Sequence, residues 1–532
     1  MMNLRYPIYA TRTLLSLTGL CLLMGVCTSC TGNWLDDASS TNQTSDKEIF
    51  SNTDEATLVI SGIAHLMYTP YTYGGMATQW NGEGSIQFYY GNLMGNHFVL
   101  ANRDGFAGLA RGATYMANAT SVYDYFPWGY YYRLITNANA LIEHIDGVTG
   151  DAETRQFLKA QALTFRAYSY LQLSQLYCSR WLDDPDGSTR GLPLRLSSDD
   201  TGSMAASTLS QTFDRIYTDL SQADALYAAS GLSRGESYWL PDSSVNNAVW
   251  ARAALVKGDY LEARNRAQRA RAGFALMSSA VYKSGFNTRN SETIWANPGT
   301  STAVSLDEAS FFSQQMAYDR SYYIDYPSCI SKELFDQFPA RDIRRQLFLD
   351  PRSEDYVTEG SRIGYIADDS ALSDSITALY PDVCGSLYAY QNFKFKCADD
   401  NHLGEGVLSL VRSSEMYLIE AEADYFLGQE DQALSLVYSV NRTRNPAYRK
   451  PSISGDAVFA EIRRTRAFEL WGEGFDWFDY KRWGLPIQHN GYPDGNFYAA
   501  LIYTTEPSAN NGWTWVYPNL EADYNDLVSV QE

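Results

Sequence analysis

Chemistry needs particular side chains at particular separations, and this chain supplies few such sets. Its five histidines, His65, His97, His144, His402 and His489, are scattered. No His-Glu-x-x-His pair or other ligand spacing marks a metal site, and no Gly-x-Ser-x-Gly elbow presents a serine nucleophile. No glycine-rich loop runs into Lys-Ser/Thr to cradle a phosphate, and Gly82-Glu83-Gly84 lacks a third glycine. With 62 acidic residues some close carboxylate pair is inevitable, so a glycosidase-type pair carries no signal here. No catalytic residue, cofactor or metal site is assigned.

The residues best suited to holding a ligand are aromatic. The chain has 40 Tyr, 12 Trp and 23 Phe, and a Gly- and Tyr-rich stretch at 71–91 concentrates them. A sugar ring presents an apolar C–H face and a rim of hydroxyls. A flat Trp or Tyr covers the face, and amides or carboxylates satisfy the rim. Trp80, with Gln79, Asn81, Tyr89 and Tyr90, has that composition, and Tyr322, Tyr323, Asp325 and Tyr326 form a second set. Plain packing is the competing reading for each of these rings. Arg463, Arg466, Glu469 and Glu473 are read as ion pairs that dock a helix, because Arg–carboxylate contacts are strongly directional. Trp477, Phe478 and Trp483 are read as core.

The elements that must position these groups are helical. Thr53-Asp54-Glu55 opens a helix to about residue 68, and Leu58, Ile60, Ile63 and Met67 repeat at helical spacing. Residues 69–127 lose that period and read as an aromatic, loop-rich segment. Helices are expected near 128–145, 153–177, 207–229 and 247–257, the last turning through Gly258-Asp259 into another helix. Ala160, Leu163, Ala167 and Leu171 on one face allow close helix approach. Residues 278–409 break the helical text, with a short helix at 332–338. Then Tyr417, Leu418, Ala421 and Tyr425 mark a helix stopped at Gly428, Glu430 and Asp431 start its partner, and Pro446 and Pro451 precede a third helix. The expected fold is mainly α: tetratricopeptide-like hairpins, long loop-rich insertions and little β.

Length and charge narrow the function classes. A chain of 532 residues exceeds one ordinary core unless it is a repeat array. A net charge of −21 argues against nucleic acid and against a protein-mediated hold on anionic membranes. Arg5 and Arg12 precede an apolar run from Leu14 to Val26, too short to span a bilayer, and the run ends in Thr28-Ser29-Cys30. This reads as a signal peptide over 1–29. Cys30 resembles the acylated first residue of a bacterial lipoprotein, although Cys27 stands where such signals carry an aliphatic. Residues 30–50 read as a polar tether. Cys384 and Cys397 are the nearest remaining pair, and either a disulfide or buried thiols fits.

Arg412…Glu415…Tyr417-Leu418…Ala421-Glu422-Ala423…Gly428, then Asn441…Arg444, then Arg466…Glu469-Leu470…Glu473-Gly474…Phe478-Asp479…Arg482-Trp483-Gly484 resembles the C-terminal signature of the SusD/RagB family. So do Ala160-x-Ala162…Arg166-Ala167-Tyr168 with Gly191-Leu192-Pro193-Leu194, the tail Trp515-x-Tyr517-Pro518…Glu521…Asn525, and Cys30-x-x-x-Trp34-Leu35-Asp36. The resemblance implies an N-terminal helical-repeat region at 51–275 and a C-terminal region at 276–532 carrying signature helices at 410–484. It also implies a non-catalytic, lipid-anchored outer-membrane protein that faces the cell exterior. Such a protein captures glycans, or peptides in RagB-like members, for a SusC-like TonB-dependent transporter. A secreted glycoside hydrolase on a helical fold is the reading from another class.

Overall fold

Helix boundaries follow local capping chemistry. In the computed structural model α1 (Thr53–Leu66) starts where Asn52 accepts from the backbone N–H groups of Asp54 and Glu55. The structure describes residues 49–73, 76–101, 113–299, 311–315, 327–351, 356–357, 364–366, 386–398, 405–506 and 513–529. Four long helices follow: α2 (Val122–His144), α3 (Ala152–Tyr177), α4 (Leu209–Ser230) and α5 (Ser243–Lys257). Ser121, Asp151, Thr208 and Asp242 cap their N-termini, and Thr208 with Gln211 forms a full capping box. Gly258 takes φ 76°, which turns α5 directly into α6 (Tyr260–Ala270).

The C-terminal signature is a second helical group. α7 (Ser413–Phe426) and α8 (Glu430–Arg444) pair across Gly428, whose φ of 75° permits the tight turn expected there. α9 (Asp456–Leu470) and α10 (Asp476–Trp483) complete it, and Gly484 ends α10 with φ 67°. Successive helices pack on one another as pairs, and α6 packs on α7, so the two groups abut. The main apolar core runs from Ala56 to Tyr517, with smaller clusters among α7, α8 and α9 and between α3 and α4. The protein is mainly helical; among the described residues every sheet is two-stranded.

Buried ion pairs tie the layers. Arg166 on α3 binds both oxygens of Asp219 on α4, at 2.8 and 2.7 Å, and donates to Asn139 on α2 at 2.8 Å. Arg252 on α5 binds Glu415 on α7 at 2.7 and 2.8 Å. The tail closes over the N-terminal helices. Tyr517 donates to the Gly191 carbonyl, and Glu521 accepts from Trp128, Arg195 and Asn525. The motifs at Arg166, Gly191, Glu415 and Tyr517 therefore lie at joints between elements distant in the chain.

One expectation fails. The described residues of the 69–127 stretch are not chiefly loop. They contain an antiparallel pair, β1 (Pro70–Tyr73) with β2 (Met76–Asn81), then a helical turn and a π-helical segment at Ile86–Leu93. A strand β3 (Phe98–Leu100) follows, and α2 begins at Val122, six residues ahead of its expected start near 128. A search at the α period misses a π-helical segment, because its turns close at i→i+5. Pro127 lies inside α2 and gives no N–H to the Tyr123 carbonyl; Tyr90 supplies the missing donor at 2.6 Å.

Candidate functional site

The aromatic residues singled out from the sequence divide into two groups. Trp80, Tyr89 and Tyr90 are buried, each under 5 % exposed, within the main core. Trp80 stacks on Phe126 at 5.2 Å, the Tyr89 hydroxyl accepts from Gln314 at 3.1 Å, and Tyr90 bonds the Tyr123 carbonyl. Their faces are covered by protein, so these three are core residues and not ligand platforms. Hydrophobic composition was satisfied by burial rather than display. The Asn81 backbone pairs with Pro70 in the β1–β2 ladder. Tyr322, Tyr323, Tyr326, Cys30 and Cys384 lie outside the described residues.

The signature charges meet in one buried knot. Glu469 on α9 receives Arg412 at 2.8 Å, Arg444 at 2.9 Å and Arg344 at 3.1 Å. Glu473 receives Arg412 at 2.7 Å and Lys394 at 2.6 Å. Glu292 binds Arg412 and Arg444, and Asp342 binds Arg344. Four carboxylates thus balance four cations, as a fully buried set requires. The three guanidinium groups hold the Glu469 carboxyl well below its usual range despite burial, while burial pulls Lys394 down to about 8. The docking role expected for Glu469 and Glu473 is what the geometry provides. Glu292, Arg344 and Lys394 were missed, because they lie outside the signature.

Arg463 and Arg466 do not join that knot. They line a cavity of about 180 Å³ bounded by the C-terminal half of α9, Trp471, α10 and the segment at His97 and Phe98. Arg466 donates from Nε to Asp479 at 2.6 Å, and its Nη1 is buried with no acceptor. Arg463 pairs with no carboxylate among the described residues. Its guanidinium sits 5.0 Å from the Phe459 ring centre and 5.9 Å from that of Trp483, and its buried Nε has no acceptor. Asp476 accepts from the backbone N–H groups of Asn96 and His97 at 2.6 and 2.7 Å, both on Oδ2; burial pushes its carboxyl up. The Tyr480 hydroxyl lies 3.1 Å from His97 Nε2. Asp479 is clamped between Arg466 at 2.6 Å and Arg482 at 2.9 Å.

The wall opposite is fixed by close backbone contact. A Cβ on Gly91 would lie 2.0 Å from the Gly474 carbonyl oxygen, and a Cβ on Gly474 would lie 2.7 Å from Gln87. Asn92 occupies the seam, accepting from Gly474 N–H at 2.7 Å and donating to the Gly472 carbonyl at 2.8 Å. The glycines of the signature permit that approach.

Two family models match. The SusD family covers residues 363–525, and a second, described as starch-binding associating with outer membrane, covers residues 34–255. Together they span more than two thirds of the chain.

The chain belongs to the SusD family.

Solved SusD-like structures repeat its fold. A SusD-like carbohydrate binding protein from Bacteroides vulgatus superposes with TM-score 0.71 at 22% identity, over 90% of this chain and 98% of that one. A SusD superfamily protein from Bacteroides thetaiotaomicron gives 0.70 at 20% identity, over 90% and 100%. Surface glycan-binding protein A from the same species, in complex with laminarihexaose, gives 0.64 at 14% identity, over 89% and 98%. At these identities the likeness is one of fold. No curated protein matches the chain by sequence. No described helix is long and apolar enough to cross a membrane, and no metal-binding cluster occurs among the described residues.

Proposed function

We propose that this SusD-family chain is a non-catalytic surface protein that captures oligosaccharides and passes them to a SusC-like TonB-dependent outer-membrane transporter. The observation that carries the reading is the match of residues 34–255 to the starch-binding, outer-membrane-associated family model. The laminarihexaose complex of a protein with the same fold supports a glycan cargo. On this reading residues 1–29 are removed, Cys30 carries the lipid, and 30–50 tether the body to the outer membrane, facing outward. The tether confines the protein beside its transporter and raises their effective concentration without any new contact. The four carboxylates and four cations of the buried knot are spent on each other, which suits a rigid scaffold better than a catalyst.

Calorimetric titration of the purified chain against soluble oligosaccharides and against peptide mixtures tests the cargo. Heat from oligosaccharides is expected; heat from peptides alone would favour RagB-like peptide capture. Release of reducing ends from a polysaccharide would overturn the non-catalytic reading. Co-purification with a large outer-membrane barrel tests the partner.

A further inference from the structure

Beside the signature helix two arginines that line a cavity, Arg463 and Arg466, each keep a buried donor with no acceptor. We propose that the cavity lined by Arg463, Arg466 and Asp476 is a saccharide subsite for one neutral, hydroxyl-rich ring. The proposal rests on the glycan reading above and assigns a place and a ligand class to it.

Size sets the first limit. About 180 Å³ falls below the roughly 300–1,000 Å³ of drug-sized pockets. One ring fits, and an oligomer has to extend past the rim. The rim is open, since Gln337 and Arg464 are exposed there.

Polar chemistry sets the second. Arg466 is only 3% exposed, and its Nη1 has no acceptor; Arg463 Nε is likewise unpaired. A buried N–H left unpaired is costly, so these donors call for an oxygen. Across from them, both hydrogen bonds to Asp476 fall on Oδ2 and none on Oδ1. A hydroxyl accepts from a guanidinium and donates to a carboxylate at once, so neighbouring hydroxyls of a sugar ring satisfy both walls. Phe475, Tyr480 and Trp483 are half-buried rings of the lining that supply apolar contact for the C–H face.

Charge decides against an ion. In the lining Arg463 and Arg466 stand with Asp476 and Asp479, while Arg464 is paired to Glu461. Cations and carboxylates balance, so the lining does not recruit net charge. A neutral sugar is matched better than a uronate.

The test uses the whole purified chain, with saturation-transfer NMR on glucose, galactose, mannose and glucuronate, and calorimetry on the oligosaccharide that binds. Arg463→Met removes an unpaired donor without breaking an ion pair. Ala460→Phe narrows the entrance from an exposed helical position and keeps every polar group. Arg133→Met, on an exposed face of α2, is the control. Both cavity variants are expected to abolish the monosaccharide signal and weaken oligosaccharide binding by about tenfold, the scale of a charged hydrogen bond. Unchanged binding in both variants, with the oligosaccharide still bound by wild type, overturns the subsite and leaves glycan capture standing. Preference for glucuronate over glucose overturns the neutral assignment. Absence of any saccharide binding by wild type overturns both readings.

Discussion

The Tyr90 hydroxyl donates to the Tyr123 carbonyl at 2.6 Å, and that carbonyl is the one Pro127 leaves without its helical partner. Proline inside a helix usually costs about 3 kcal/mol or more through the lost bond and a ring clash. Here a neighbouring side chain restores the bond. Tyr90→Phe is therefore expected to destabilise the fold by about 1–3 kcal/mol, the cost of a buried carbonyl left unpaired. Denaturant unfolding with an unchanged m value would confirm it; a change below about 0.5 kcal/mol would show that the bond does not matter.

Trp80 offers the sharpest contrast between packing and recognition. Buried against Phe126, it is expected to cost about 3–5 kcal/mol when changed to alanine. Trp80→Phe is expected to retain cargo affinity within about twofold, because the ring touches protein and not ligand. A large loss of affinity with intact stability would return Trp80 to the binding surface.

Asn92 stitches the π-helical segment to the signature through Gly472 and Gly474. Asn92→Ala strands the Gly474 N–H and weakens the hold on Gly472, which keeps Gln315 at 3.3 Å. A loss of about 2–3 kcal/mol follows from the unpaired groups. Thermal unfolding measures it, and the double variant with Gln315→Ala is expected to lose more than either single change.

Glu469 carries the buried knot. Glu469→Gln leaves three arginines short of one charge and is expected to cost about 3–5 kcal/mol. Its folded pKa is depressed below the unfolded value, so its contribution is present above about pH 4.3 and is lost as pH falls through the folded pKa. Wild type should lose stability on acidification below that point, and the variant should lose less. Urea midpoints taken across that range decide it.

Asp124 behaves in the opposite sense. Its carboxylate is buried with no hydrogen-bond partner, and burial alone pushes its pKa from 3.8 to about 9. The folded protein keeps a proton that the unfolded chain releases, so stability falls as pH rises from about 4 to 9. Asp124→Asn should flatten that slope and gain stability over wild type at pH 8. An unchanged slope would mean that Asp124 is not the group responsible.

Much of this architecture is legible in the residues. Gly428, Gly484, the prolines at 446 and 451 and the spacing of Tyr417, Ala421 and Tyr425 place the signature helices, because turns and amphipathic faces are local properties of the chain. The docking role of Glu469 and Glu473 follows equally from residue type. Position was not legible where it depends on distant partners. Glu83 sits beneath Tyr130, Tyr131 and Tyr168, residues 47 to 85 positions away, and burial lifts it to about 7. Whether Trp80 and Tyr90 faced solvent or core likewise depended on α2 and the tail folding over them. The chain alone determined helices, family and the chemistry available. Only the tertiary structure decided which aromatics were spent on packing and which arginines kept unpaired donors, since burial is set by what arrives from elsewhere in the chain.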